Sequence, residues 1–143
     1  ARAKAPPGSF GRLKGLLKPP VQGKIINFFG PFKNTRYNVT NYRSGVDIRS
    51  DRGEPIHSVS GGRIMYADWF KGYGNMMILD HGHSYFTLYA HLEEMFKQKG
   101  EAVKSGEVIA TVGESGALSG PGLYFEVRHR GKPEDPQMWL IEE

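Results

Sequence analysis

The chain has 143 residues, the size of one domain, and at that length about 68–70% of the unfolded surface is buried on folding. It has no cysteine, which excludes disulfides and thiol chemistry, and no apolar run long enough to span a bilayer as a helix. The net charge of +4 is uneven: Arg2, Lys4, Arg12, Lys14 and Lys18 stand in the first 20 residues with no acid, and taking those five from the 19 basic residues leaves 14 against 15 acidic, a near-neutral remainder that argues against a nucleic-acid-binding face.

Residues 1–20 also hold Pro6, Pro7, Pro19, Pro20, Gly8, Gly11 and Gly15, the composition of a basic Pro/Gly-rich linker. Within it Phe10, Leu13, Leu16 and Leu17 fall at roughly helical spacing and offer a face that docks on the domain. The chain begins at Ala1 without a signal peptide, as expected of a piece of a longer or processed protein. The folded domain is expected over 21–143. Lys24 to Phe29 reads as a short strand ended by Gly30-Pro31, and residues 31–42, polar and aromatic, read as a long loop. Ile56–Val59, Arg63–Ala67, Asn75–Leu79, Tyr85–Tyr89, Val108–Val112 and Leu123–Arg128 read as strands, divided by glycine turns at Gly61-Gly62, Gly72, Gly74, Gly82, Gly100, Gly106, Gly113, Gly116 and Gly120. Only Leu92–Lys99 reads as a turn or two of helix. The expected fold is all-β: an antiparallel sheet folded into a small barrel-like sandwich. Met65, Met76 and Met77 are expected in the core, with Met76 or Met77 on the outer face.

Two motifs carry the functional reading. Arg43-Ser44-Gly45-Val46-Asp47 resembles the zinc-binding segment of the LytM/lysostaphin-type endopeptidases, where a His, any residue, Gly, an apolar residue and Asp stand. Gly120-Pro121-Gly122-Leu123-Tyr124-Phe125-Glu126 resembles that family's Gly-Pro-His-Leu-His-Phe-Glu. Gly53-Glu54-Pro55-Ile56, Tyr89-Ala90-His91-Leu92, Val103 with its flanking glycines, Asp135-Pro136 and Trp139-Leu140 follow in the family's order, so the resemblance spans Val21 to Leu140. Ala67-Asp68-Trp69-Phe70-Lys71-Gly72-Tyr73-Gly74-Asn75 and the ending Leu123 to His129 are most similar to the EnvC-like murein hydrolase activators.

The resemblance implies a metal site that this sequence has emptied. A catalytic zinc takes three protein ligands with lone pairs and leaves one position for water. Arg43 offers only donors on a permanent cation, Tyr124 is a phenol with a pKa near 10, and Gly122 has no side chain. Asp47 remains, and one carboxylate does not hold zinc. No cofactor is expected, and without metal there is no activated water. Asp47 and Arg43, four residues apart, are expected to pair. His91 matches the family's non-ligand histidine and is read as a remnant near the groove floor, with orienting of a bound peptide group left open. Ser44, His91 and Asp47 exist as triad types, but no nucleophile elbow is present.

His81-Gly82-His83 has chelating spacing yet lies in a turn, and is read as solvated rather than metal-binding. His57 and His129 are read as surface or packing residues. Trp69, Phe70 and Tyr73 are read as packing locally across a hairpin, with a sugar-binding patch as the alternative. Tyr37 and Tyr42 are the better binding candidates, in the long loop beside the first motif.

The resemblance therefore implies a non-catalytic module of the bacterial envelope, in the periplasm, that binds and activates N-acetylmuramoyl-L-alanine amidases as the wall is split in division. The expected contact surface is the old groove, with Arg43, Asp47, His91, Gly122, Tyr124, Tyr42 and Tyr37. The family places a long coiled coil upstream. Two other readings stay open: a peptidoglycan-binding anchoring module, and an atypical peptidoglycan endopeptidase.

Overall fold

The computed structural model describes residues 9–114 and 120–141. Arg2, Lys4, Pro6, Pro7 and Gly8 of the expected linker, and the turn at Gly116, lie outside them. Among the described residues twelve strands follow one another: β1 (Lys24–Asn27), β2 (Gly30–Asn34), β3 (Val39–Arg43), β4 (Val46–Arg49), β5 (Pro55–His57), β6 (Gly62–Phe70), β7 (Gly74–Gly82), β8 (Tyr85–Met95), β9 (Ala102–Val103), β10 (Val108–Glu114), β11 (Pro121–His129) and β12 (Lys132–Glu134). The fold is all-β and antiparallel, as expected. One sheet runs β1-β4-β11-β10-β8-β7-β6-β9, with β5 added to β10 and β12 to β11. Its ends, β1 and β9, do not pair, so the sheet stays open. β11 touches β10 only at Gly113 and Glu114, then pairs with β8 along Tyr124 to His129.

Alternation decides which face each side chain takes. Leu123, Phe125 and Val127 of β11 are fully buried in the main core with Val46, Ile48, Met77, Leu79, Tyr89, Ile109 and Val112. Burying one such side chain contributes about 1.5–3 kcal/mol. Their neighbours Tyr124 and Glu126 point to the opposite face. There a second cluster forms from Met76, Leu88 and Ala90, ringed by Tyr66, Tyr73, Ile78 and Tyr124. Met77 is thus in the main core and Met76 on the second face, while Met65, expected in the core, is 42% exposed because it is the extra residue of a bulge in β6, skipped between the Ile64–Leu79 and Tyr66–Ile78 pairs.

Three local expectations are corrected. Leu92–Lys99 forms no helix, because β8 runs on to Met95. The continuation follows a bulge: Asn75 faces Leu92 and Met76 faces Ala90, so His91 is the extra residue, held at φ +66°. Residues 31–42 are not a loop, since β2 and β3 pair into a separate two-stranded hairpin. His81 is not solvated. It is buried, its ring stacks on Phe10 at 4.5 Å, Nδ1–H donates to the Gly61 carbonyl at 2.7 Å, and the Thr87 hydroxyl donates to Nε2 at 2.7 Å. Each ring nitrogen has a partner, which is what makes burial of a neutral imidazole tolerable.

Phe10 explains the other end of the chain. A 3-10 turn at Ser9–Leu13 sets Phe10, 2% exposed, against His81 and Trp139. Leu17 is buried too and bridges Leu140 in parallel. From Ser9 onward the stretch of linker composition is therefore part of the packed unit, and the prolines at 19 and 20 punctuate it rather than separate it.

Candidate functional site

The site forms where β4, β11 and β8 lie side by side. The register sets Tyr124 opposite Asp47 on one flank and Ala90 on the other. Asp47 is 7% exposed. Its Oδ2 accepts from the Asn27 side chain at 3.0 Å and lies 3.9 Å from Arg43 Nε, so the pair expected from the spacing is present. The guanidinium also donates to the Phe28 carbonyl at 3.3 Å and lies over the Phe32 ring at 4.1 Å. Three partners hold Arg43 over the Asp47 carboxylate, where the motif of the zinc enzymes sets a metal.

Tyr124 is turned to a different task. Its hydroxyl donates to Glu126 Oε2 at 2.6 Å, and Arg128 Nε donates to the other carboxylate oxygen at 2.6 Å. Glu126 is fully buried, so these two donors are what make its charge tolerable. Burial and the adjacent Glu126 carboxylate push the Tyr124 phenol far above its ordinary pKa. The Glu126 hydrogen bond raises the Arg128 guanidinium against the effect of its burial. Tyr124 is thus a neutral donor already engaged, not a ligand.

Gly122 is closed at the backbone. A Cβ there would sit 2.7 Å from the Ile48 carbonyl oxygen of β4. Real carbon atoms do not approach so closely, and the obstacle is a strand, not a mobile side chain. His91 rises from its bulge with Gly113 making room beneath, since a Cβ at 113 would stand 2.8 Å from the His91 carbonyl. Its ring meets Tyr124 edge-on at 6.4 Å. Burial lowers its pKa, and nearby Asp47 opposes that shift. The donors at the old metal position therefore reduce to one paired carboxylate and one imidazole, which do not fit a zinc ion. Among the described residues no three His, Asp or Glu side chains group at ligand distances.

Beyond this point the second face of the sheet carries an apolar patch, in which Tyr66, Tyr73, Ile78 and Tyr124 are partly buried over a second cluster. Met76, Leu88 and Ala90 floor it. An aromatic row follows one side: Tyr66 to Phe70 at 6.1 Å, Phe70 to Tyr73 at 5.9 Å and Tyr73 to Tyr124 at 5.9 Å. Phe70 and Tyr73 pack locally, as read from sequence, but in doing so they build this row. Trp69, on the opposite phase of β6, is 61% exposed.

The structure brings Arg43, Asp47, His91, Gly122 and Tyr124 together. It separates Tyr42 and Tyr37 from them. Tyr42 neighbours Arg43 in β3 and so projects to the other face of the hairpin, where its ring meets Phe29 at 5.5 Å. Tyr37 sits in the turn, 65% exposed. Phe32, Asn27, Glu126 and Arg128 were missed. Period-two counting onward from Tyr124 points to Glu126 and Arg128; Phe32 and Asn27 needed the strand register.

Comparison with known proteins agrees with this geometry. The profile of peptidase family M23 matches residues 41–136. The murein hydrolase activator EnvC of Escherichia coli is 32% identical over 133 residues, covering 93% of this chain and 31% of that protein. The murein hydrolase activator NlpD of the same organism is 35% identical over 122 residues, covering 85% of this chain and 30% of that protein. The chain spans about a third of the length of these relatives. The crystal structure of a zinc-containing peptidase from Vibrio cholerae superposes with a TM-score of 0.81 at 29% identity, over 90% of this chain and 41% of that one.

Proposed function

The chain belongs to peptidase family M23, and from that premise we propose that it is a non-catalytic LytM-type domain that binds and activates an N-acetylmuramoyl-L-alanine amidase in wall splitting. The observation that carries this reading is Arg43 lying over Asp47 where a metal would sit. The engaged Tyr124 and the closed backbone at Gly122 support it. So does the likeness to two murein hydrolase activators. The natural occupant of this face is the apolar side of a regulatory helix of the amidase, laid along Tyr66, Phe70, Tyr73 and Tyr124, which cover the buried second cluster. Holding that helix away from the amidase's own site shifts the enzyme toward its open state by the differential affinity for the two states. In this reading the domain works in the periplasm, beyond an upstream coiled coil.

The test is dye release from labelled peptidoglycan by a periplasmic amidase, with and without this chain. Release should rise only when both are present, and chromatography of muropeptides should show no product from the chain alone. Products from the chain alone would restore the endopeptidase reading. Unchanged amidase activity, with the chain sedimenting on peptidoglycan, would leave an anchoring module instead.

A further inference from the structure

The hairpin of β2 and β3 stands apart from the sheet, and an isolated two-stranded hairpin is marginal in water. Its pairing sets Phe32, Val39 and Arg43 on one face, and Lys33 and Tyr42 on the other. Both faces are open: Phe32 is 36% exposed, Val39 47%, Tyr42 59%, with Tyr37 at 65% in the turn and Phe28 at 53% at the base. A hairpin that rests on a protein core hides one face. This one hides neither: its rings meet Arg43, Arg36 and Phe29, and none of Phe32, Tyr37 and Tyr42 belongs to either apolar cluster of the described residues.

Its charge is equally one-sided. Between Val21 and Val46 stand Lys24, Lys33, Arg36 and Arg43, and no acid. Lys33 and Arg36 have no salt-bridge partner among the described residues. Exposed apolar and aromatic groups flanked by unpaired cations suit the boundary between lipid headgroups and acyl chains. Rings and aliphatic side chains enter the apolar side there, and each cation near an anionic surface adds to the attraction.

A glycan fits less well. Sugar platforms offer open ring faces on one side and polar groups for the hydroxyls. Here Arg43 covers the Phe32 ring at 4.1 Å, Arg36 lies over Tyr37 at 5.6 Å, and Phe29 meets Tyr42. Phe28, Phe32 and Val39 have no polar atom to offer. We propose that the β2–β3 hairpin is a membrane-contact element that seats the domain on an anionic lipid surface, independently of what occupies the apolar patch.

Vesicle sedimentation tests this. The chain should pellet with phosphatidylcholine–phosphatidylglycerol vesicles, not with phosphatidylcholine alone, and added salt should release it. Lys33→Glu/Arg36→Glu should weaken partition at least roughly 30-fold, about the factor two surface cations carry together. Tyr37→Ser/Val39→Ser should weaken it as well, with thermal melting of both variants unchanged. The chain has no native cysteine, so an environment-sensitive dye on Thr35→Cys at the hairpin tip reports alone. Its emission should shift to the blue with anionic vesicles, while dye on Lys71→Cys in the β6–β7 turn should not. Pelleting unaffected by both double variants, a blue shift at position 71 alone, or binding to purified murein sacculi but not to vesicles would overturn the proposal.

Discussion

At the scale of single residues, buried polar groups decide the outcome. Glu126 is fully buried with two donors, Tyr124 and Arg128. Tyr124→Phe keeps the ring and removes one donor, so it should cost about 1–3 kcal/mol in guanidinium denaturation, the range for an uncompensated buried acceptor. A loss within error of zero would show that water replaces the phenol. His81 gives a pH dependence. Burial lowers its pKa against the opposing Gly61 hydrogen bond and Asp80 charge, and burial lowers that of His91 against Asp47. The unfolded chain takes up these protons near pH 6.5, about the free imidazole value, and the folded chain only below it. Stability is therefore complete above about pH 6.5, falls as pH drops below it, and levels off under the folded values. Melting temperature followed from neutral to mildly acid pH should decline, and His81→Gln, which removes this titration, should flatten part of that decline. A native melting temperature that is flat over this window would refute the assignment.

Elements show why one half of the old site cannot be rebuilt and the other can. The β4–β11 register keeps position 124 opposite Asp47, so Arg43→His/Tyr124→His would set two imidazoles beside that carboxylate, the donor set of a zinc site. That double variant should retain about one zinc per chain by elemental analysis; a folded, metal-free double variant would show that the strands have drifted. Gly122→His, added to it, meets the Ile48 carbonyl and should cost about 1–3 kcal/mol in stability rather than improve binding. The N-terminal segment carries a comparable prediction. Phe10→Ala removes a ring stacked on His81 and Trp139 and should cost about 3–5 kcal/mol in chemical denaturation; an unaffected midpoint would return that segment to a linker. These elements were unequally legible. β6, β7, β10 and β11 could be read because each is a short apolar run set between glycine turns. β2 and β3 could not, since a hairpin exposed on both faces has no alternation to read. Leu92–Lys99 misled because the His91 bulge breaks the period of β8 just where a helical spacing begins. The turn chemistry of His81-Gly82-His83 concealed a buried ring, because the residue that covers it, Phe10, lies 71 positions away in the sequence.

For the whole molecule, the open sheet buries its main core on one face and carries the second, smaller cluster on the other, where Tyr124 stands opposite Asp47 at the former metal position. The two motifs were legible in the sequence as a disarmed metal site. The apolar patch was not, because Tyr66, Phe70 and Tyr73 reach it only through the pairing of β6, β7 and β8. If this face holds an amidase segment, Tyr124→Ala and Phe70→Ala should each weaken that contact by roughly 30-fold, the loss of a hot-spot aromatic. Arg43→Ala should do the same and also leave Asp47 with Asn27 alone, so its melting curve must be measured beside its binding. His83→Ala, at the exposed β7–β8 turn, should leave activation unchanged. Titration of dye release against chain concentration separates the effects: a variant of this face should shift the half-maximal concentration upward while its fold survives. Equal activation by the three variants of this face, with loss on changing His83, would move the partner to the opposite end of the sheet.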